Sequence, residues 1–247
     1  MKKTTAGKTS MDKIVVVEFP KSGASWFVSM IGHALSIPIR DIYVQNEQYS
    51  SAFEIRKHPW YNSLEELGIT KTCVIKSHEL PGSALHPFEA NYIHMLRDGR
   101  DVVVSKYFFE KDFCVNNGII SNFKFSLDEY VEKTAKEWAT YVESWLEQNV
   151  LKCRYEELLS SPEEVTRALL AALGYSCSEQ SVRDAVAANN KEAFKKSLDK
   201  AFVHNTFVRK GVSGDWANHF TEKNKNSFKS IAGDLLVRLG YETNNDW

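Results

Sequence analysis

The run IVVVEF at residues 14–19 constrains the fold more than any other feature of this chain. A nearly continuous β-branched run is typical of a parallel strand that is buried on both faces. It leads into the turn-rich stretch PKSGAS and then into WFVSMIGHAL, where Phe27, Ile31 and Leu35 have helical spacing. Because parallel strands need crossover connections and covering helices, this segment predicts an α/β fold.

Three further strands are predicted at residues 72–76, 92–96 and 150–154, with helical segments between and after them. Residues 40–71 and 111–125 are aromatic-rich and are predicted to be irregular. The alternation indicates α/β architecture with a central parallel sheet flanked by helices.

Helix boundaries are marked by capping signals. Ser126 with Glu129 forms a capping box, and Ser161 followed by Pro162 begins another helix, which Gly174 ends. A last helix is predicted from Thr221 to Gly240. We find no repeat and no linker, and expect a flexible N-terminal leader at residues 1–12 followed by one domain at residues 13–247.

Composition excludes several classes of function. Hydrophobic residues make up 43% of the 247 and charged residues 26%, which is typical of a soluble globular protein. No run of about 18 apolar residues exists, and no secretory leader is evident, so we expect no membrane partner. The net charge of −1 argues against nucleic-acid binding. Four isolated cysteines indicate buried thiols in a reducing compartment, so the predicted location is cytoplasmic.

The loop PKSGASW at residues 20–26 is a candidate anion site, because backbone N–H groups and the helix dipole converge where a strand enters a helix. Lys21 adds a charge, and Ser22 and Ser25 add hydroxyl donors. A plain strand-to-helix turn is the alternative. The Walker pattern GxxxxGK[ST] is absent here, no aspartate follows a strand to hold Mg²⁺, and GKT at residues 7–9 has no leading strand. We therefore expect an anion site without a metal.

Two other stretches add cations. In RDGRDVVVS at residues 97–105, Arg97 follows a predicted strand and Ser105 lies about two helical turns further on, so both can face one pocket. Here the alternative is a surface ion pair of Arg100 and Asp101. In RKGVSGDW at residues 209–216, adjacent cations and two glycines form a basic loop that can close on a phosphate, a weak signal alone.

Together these stretches resemble the cytosolic type of sulfotransferase that uses 3′-phosphoadenosine 5′-phosphosulfate (PAPS). KSHELP at residues 76–81 and RYEEL at residues 154–158 resemble two further elements of that family, and all five occur in its order. The resemblance implies a P-loop-like sulfotransferase fold. It also implies transfer of the sulfuryl group from PAPS to a hydroxyl or amine of a small soluble acceptor, with the desulfated nucleotide (PAP) as product and no metal.

The resemblance also implies roles for individual residues. The catalytic ones are His78 as general base, with Lys21 and Lys76 stabilising charge on the transferring group. The nucleotide-binding ones fall into three groups: Lys21, Ser22, Gly23, Ala24, Ser25 and Trp26 at the 5′-phosphosulfate; Arg97, Ser105, Arg209, Lys210 and Gly211 at the 3′-phosphate; and Trp26, Tyr155 and Phe194 at the adenine.

Three departures from the family pattern limit this transfer. Ala24 and Ser25 replace two threonines, and Glu192 and Ala193 replace the Thr-Ser pair before Phe194, so a serine contact to phosphate is absent. Of the dimer motif that follows GDW in the animal enzymes only Thr221 agrees, so the oligomeric state stays open.

Aromatic residues of the irregular segments fit the wall of an acceptor site for a phenol, another aromatic or a lipid-like alcohol, and equally fit a plain core: Tyr43, Tyr49, Phe53, Trp60, Tyr61, Phe108, Phe109 and Phe113. Two rival functions remain. A P-loop kinase or ATPase requires its lysine at the end of the loop, and a non-catalytic nucleotide binder has no need of His78.

Overall fold

The computed structural model describes residues 13–43, 63, 66, 72–87, 89–199 and 206–247. The predicted leader at residues 1–12 lies outside the described residues. No helix within these ranges is both long enough and apolar enough to cross a bilayer.

A five-stranded parallel sheet forms the centre of the fold, in the order β2-β3-β1-β4-β5. Its strands are β1 (Lys13–Glu18), β2 (Ile39–Asp41), β3 (Cys73–Ser77), β4 (Asn91–Leu96) and β5 (Leu151–Arg154). The predicted parallel α/β sheet is therefore confirmed. Among the strands of the described residues, only β2 was not predicted: it has three half-buried residues, and the last two lie inside the segment predicted to be irregular.

Helices cover both faces of the sheet. Their bounds are α1 (Ala24–Leu35), α2 (Gly99–Phe108), α3 (Leu127–Leu146), α4 (Tyr155–Ser160), α5 (Pro162–Ala172), α6 (Glu179–Ala188), α7 (Lys191–Asp199) and α8 (Glu222–Arg238). The capping box of Ser126 and Glu129 is confirmed, and Thr221 caps α8 together with Asn224. The prediction that residues 111–125 are irregular is wrong at its start, because a π-helical segment, Phe109–Cys114, continues α2.

The apolar run of β1 is continuous because each face of the sheet has its own core. Val15 and Val17 pack with residues of α2, α3 and α8, whereas Ile14 and Val16 pack with residues of α1, α5 and α6. All four valine and isoleucine side chains are fully buried. Since all strands are parallel, the segments that follow β1, β3 and β4 leave the sheet at one edge.

Candidate active site

A cavity of about 410 Å³ opens at the carboxyl edge of the sheet. It brings together most of the predicted site residues: Lys21, Gly23, Ser25, Trp26, Lys76, His78, Arg97, Ser105, Tyr155, Phe194, Arg209, Lys210 and Gly211. Ser22 and Ala24 do not line it. Both are buried, and the Ser22 hydroxyl donates to the Phe19 carbonyl oxygen at 2.8 Å.

The loop between β1 and α1 takes a shape that its sequence dictates. Lys21 has φ +78°, and Gly23 has φ +109°, where a side chain is rarely tolerated. A Cβ at Gly23 would also lie 2.6 Å from Cδ2 of Tyr155. Glycine is therefore required at position 23, both for the turn and for the close packing of Tyr155.

The Lys21 ammonium lies between two aromatic rings. Its Nζ is 4.1 Å from the ring centroid of Phe109 and 4.0 Å from that of Phe207, and it donates to the Phe207 carbonyl oxygen at 3.3 Å. Burial lowers the pKa of Lys21 to about 7, against an opposing contribution from Glu18. The charge of the protonated lysine is thus only partly balanced within the cavity. An anion bound there would stabilise the protonated form.

Arg97 connects the two ends of the predicted nucleotide site. It donates from Nη1 to the Lys21 carbonyl oxygen at 3.0 Å and from Nη2 to the Val212 carbonyl oxygen at 3.1 Å. Its guanidinium lies 4.3 Å from the ring centroid of Tyr155. The Nε atom is buried and has no hydrogen-bond partner among the described residues.

Arg209 and Lys210 both face Asp215. Arg209 Nη2 lies 2.5 Å from Asp215 Oδ2, and Lys210 Nζ lies 2.7 Å from Oδ1. Burial acts to raise the pKa of Asp215, but hydrogen bonds from Lys210 and Arg209 hold it well below its usual range. The two predicted phosphate-binding cations therefore share one buried counter-ion, which the sequence analysis did not single out.

Arg100 and Asp101 do not form a surface ion pair, so that alternative is wrong. Both are buried: Arg100 pairs with Asp98 at 2.7 Å and Glu242 at 2.5 Å. Asp101 accepts the backbone N–H groups of Gly214 and Trp216 at 2.7 and 2.9 Å. Asp101, in the first turn of α2, thereby fixes the basic loop against that helix.

His78 lies directly after β3 with one ring nitrogen engaged. Its Nδ1 is 3.0 Å from the carbonyl oxygen of Glu18, and because a carbonyl oxygen only accepts, Nδ1 must carry the proton. The lone pair of the neutral ring is then on Nε2. Burial lowers the pKa of His78 well below its usual value, and the nearby charge of Lys76 lowers it further.

Lys76 is held by a carboxylate. Its Nζ lies 3.0 Å from Asp41 Oδ2, and each of the two side chains is 9% exposed. Asp41 ends the short strand β2, whose register pairs Asp41 with Lys76. Neither Asp41 nor Glu18 was predicted as a site residue, because their significance depends on which strands are neighbours.

The predicted adenine-side residues lie on one wall of the cavity. Trp26 donates from Nε1 to the Asn189 carbonyl oxygen at 2.6 Å and contacts Tyr155 edge-on, with ring centroids 6.3 Å apart. Phe194 is buried on α7 in a small cluster with Phe113. All three rings line the cavity, and the ring of Tyr155 lies beside the Arg97 guanidinium.

The aromatic residues predicted at the acceptor side divide. Tyr43 and Phe109 line the cavity, and the Tyr43 ring centroid is 4.7 Å from that of His78. Phe113 is fully buried in the core, and Phe108 packs against Arg209 at 4.9 Å. Tyr49, Phe53, Trp60 and Tyr61 lie outside the described residues.

Comparison with known proteins assigns the family. The sequence-family model described as the sulfotransferase domain matches residues 11–240. Sulfotransferase 2B1 of Mus musculus is 26% identical over 254 residues, covering 89% of this chain and 70% of the relative. Sulfotransferase 2A1 of Homo sapiens is 25% identical over 268 residues, covering 94% of this chain and 86% of the relative.

Solved structures share the fold. Mouse sulfotransferase SULT7A1, complexed with PAP, superposes with a TM-score of 0.69 at 22% identity, covering 92% of this chain and 85% of that one. Retinol dehydratase, in complex with androsterone and inactive cofactor PAP, gives 0.65 at 18% identity, covering 91% and 80%.

Fold and family together define a group-transfer enzyme on a parallel α/β sheet. The chain belongs to the sulfotransferase domain family. The predicted enzyme class, a PAPS-dependent sulfotransferase, is thereby confirmed.

Proposed function

We propose that the cavity binds PAPS along the line from Lys21 to Arg209 and that His78 takes the proton of the acceptor. The observation that carries this proposal is the convergence of Lys21, His78, Arg97 and Arg209 on one cavity from four separate motifs. The PAP complexes of the two structural neighbours support the choice of nucleotide.

The 5′-phosphosulfate is assigned to Lys21 and the loop around Gly23, at the N-terminus of α1. The loop offers backbone N–H donors and the positive end of the helix dipole. Lys21, whose Nζ lies between the rings of Phe109 and Phe207, would pair with the negatively charged phosphosulfate. Ser25 lines the same part of the cavity, whereas Ser22 and Ala24 support the loop from below.

The 3′-phosphate is assigned to Arg97, Ser105, Arg209, Lys210 and the backbone of Gly211. The unpartnered Nε of Arg97 is a donor that an anion can satisfy, and a buried donor without a partner is costly. Arg209 and Lys210 would bind the phosphate in competition with, or alongside, Asp215. Tyr155, Trp26 and Phe194 would contact the adenine.

In the transfer step, the acceptor oxygen attacks the sulfur of PAPS while its proton moves to Nε2 of His78. The new O–S bond forms as the bond between sulfur and the bridging phosphate oxygen breaks, and PAP leaves with that electron pair. Lys21 and Lys76 would stabilise negative charge around the transferring group. A neutral His78 suits this role, because only the neutral ring can accept a proton.

We infer that the acceptor is a small molecule with a hydroxyl or amine group, and an aromatic or apolar body. Tyr43, Phe109 and Phe207 give the cavity near Lys21 and His78 an aromatic lining. Retinol dehydratase, which shares the fold, has been solved with androsterone and PAP and with retinol and PAP, and these complexes support a small-molecule acceptor. Nucleic acids and membranes are not proposed as partners, and the oligomeric state stays open.

A cytoplasmic location is also proposed. It is supported by cysteines on separate elements, of which Cys73, Cys114 and Cys153 are buried as small apolar side chains.

The direct test compares thermal unfolding with PAP and with MgATP. PAP without added metal should raise the melting temperature, since ligand at 100 times its dissociation constant adds about 2.7 kcal/mol to the free energy of unfolding. Transfer of labelled sulfate from PAPS to a panel of phenols and alcohols should follow. Stabilisation by MgATP and none by PAP would move the assignment to a kinase.

A further inference from the structure

Glu18 is a buried carboxylate beside the proposed catalytic base. It is the last residue of β1, and its side chain is only 3% exposed. Burying a carboxylate costs free energy unless hydrogen bonds or opposite charges compensate, so we expect its partners to be close by. The sequence analysis assigned no role to this side chain.

Its contacts join two parts of the site. Glu18 Oε2 accepts the backbone N–H of Ala24 at 2.7 Å, which fixes the first turn of α1. Oε1 lies 3.8 Å from Nδ1 of His78, the same nitrogen that the Glu18 carbonyl oxygen accepts from. One residue thus holds both the phosphosulfate loop and the histidine.

Other charged or titratable groups face Glu18 from the elements packed around it. Burial raises the pKa of Glu18. Lys76, the Ala24 N–H and Lys21 oppose this by favouring the carboxylate form, whereas Asp41 disfavours it. Tyr141 approaches from α3 as a neutral phenol, because burial raises the pKa of Tyr141 well above its usual value. Two carboxylates therefore face two lysines, and a protonated His78 would add a positive charge next to Glu18.

We propose that Glu18 is a positioning residue for sulfuryl transfer, whose carboxylate balances the imidazolium that forms on His78 and whose carbonyl oxygen fixes the proton on Nδ1. This rests on the proposed role of His78 as base. The proton from the acceptor ends on Nε2, and the O–S bond forms as the S–O bond to PAP breaks. Glu18 takes no proton and forms no bond.

The test is Glu18→Gln, which keeps the shape and an oxygen for the Ala24 N–H but removes the charge. Opposite charges this close change a pKa by about one unit or more, so kcat should fall about tenfold and the acid limb of the pH–rate profile should move about one unit lower. PAP affinity should not fall, because a negative charge beside an anion site has been removed.

A matched control is Asp101→Asn, another buried carboxylate that holds a loop through backbone N–H groups. It should weaken PAP binding and leave the acid limb where it is in the wild type. If Glu18→Gln loses PAP affinity in parallel with kcat, or leaves the acid limb unmoved, Glu18 only supports the loop and the inference is wrong.

A second measurement does not depend on how the Glu18 variant folds. The ¹³C shift of the Glu18 carboxyl carbon should titrate at a different pH in His78→Asn than in the wild type, because coupling between two groups is reciprocal. Identical titrations would overturn the inference. Failure of the proposed function is separate: the wild type would then transfer no sulfate from PAPS, or His78→Ala would keep full activity, whatever the Glu18 titration shows.

Discussion

Arg97, directly after β4, donates from Nη1 to the carbonyl oxygen of Lys21 at 3.0 Å. The two residues are the leading cations of two motifs separated by more than seventy positions of sequence, and this one hydrogen bond sets their spacing. Because Arg97 also donates to Val212, the basic loop is part of the same brace. Substitution of Arg97 therefore acts on both ends of the proposed nucleotide site.

Substitution of Arg209 and substitution of Arg97 should differ in how their effect on binding depends on the 3′-phosphate of the ligand. Arg209→Ala should weaken PAP binding by about 1.5–3 kcal/mol, the scale of a charge-assisted hydrogen bond, and have little effect on adenosine 5′-phosphosulfate. Arg97→Ala should weaken both ligands, because it also braces the Lys21 loop. Calorimetric titration of the two ligands measures the difference. Equal losses for both ligands in Arg209→Ala would remove Arg209 from the 3′ position.

Binding of PAP should draw a proton from solution at pH 8 to 9. Lys21 has a pKa of about 7 in the empty protein, so it is mostly neutral there, and an adjacent anion favours the protonated form. At that pH the nucleotide phosphates are fully ionised, since their second pKa is about 6, and release no proton of their own. Calorimetry in two buffers of different ionisation enthalpy measures the uptake.

The matched variant for that experiment is Lys21→Met, which keeps much of the apolar stem between Phe109 and Phe207. It should abolish most of the proton uptake and weaken PAP. Undiminished uptake in Lys21→Met would show that another group takes the proton.

His78→Ala should separate binding from turnover. PAP affinity should stay near that of the wild type, whereas sulfuryl transfer should fall by about 10²–10⁴, the contribution of a positioned general base. The loss should be larger for alkyl alcohols than for acidic phenols, which lose their proton more easily. Wild-type turnover in a folded, PAP-binding variant would make this histidine structural.

The wild-type rate should stay on its plateau as the pH falls through 6.5. Burial and Lys76 lower the pKa of His78, so the ring stays neutral, and able to accept a proton, below the pH at which a free histidine is protonated. The acid limb is therefore expected below pH 6.5, as measured by kcat against pH with a fixed phenol. An acid limb above pH 7 contradicts a neutral buried base.

His94 predicts an acid sensitivity of folding. It is fully buried in β4, and neither ring nitrogen has a hydrogen-bond partner among the described residues. Burial, with a smaller effect of Lys152, lowers its pKa from 6.5 to about 3. Below pH 6.5 the unfolded chain therefore binds a proton at this histidine that the folded protein does not bind. The free energy of unfolding decreases as the pH is lowered.

His94 should lower the free energy of unfolding of the wild type by about 1.4 kcal/mol for each unit by which the pH is lowered between pH 6.5 and 3. In His94→Leu that contribution is gone, so between pH 6.5 and 5 the variant should gain about 2 kcal/mol relative to the wild type in urea unfolding. An equal pH dependence in both proteins would show that His94 is protonated, or solvated, in the folded state.

The parts of the fold predicted from sequence are those with strong local signals. Residues 14–19 predicted β1 because a buried parallel strand must be apolar on both faces, and Ser126 with Glu129 predicted the start of α3 from two positions alone. β2 has only Ile39–Asp41, too short for any periodicity, and Phe109–Cys114 is a π-helix, whose period the helical pattern does not match.

The cationic half of the site was predicted and its acidic half was not. Lys21, Arg97 and Arg209 stand in motifs, whereas Asp215, Asp41 and Glu18 gain meaning only from what lies opposite them in space. Nothing local distinguishes a carboxylate that pairs with a catalytic group from one on a solvated surface. Register and sheet order supply that information, and they are properties of the whole fold.

The position of β1 in the middle of the sheet has a consequence for how such a protein can diversify. The proposed base follows β3 on one side of β1, and Arg97, one of the proposed 3′-phosphate contacts, follows β4 on the other. Tyr43, which follows β2 and lines the cavity, can change with acceptor preference while the nucleotide contacts proposed after β4 stay as they are. The arrangement allows new acceptors to be explored over evolutionary time, or in a directed-evolution library confined to one flank, without rebuilding the donor site.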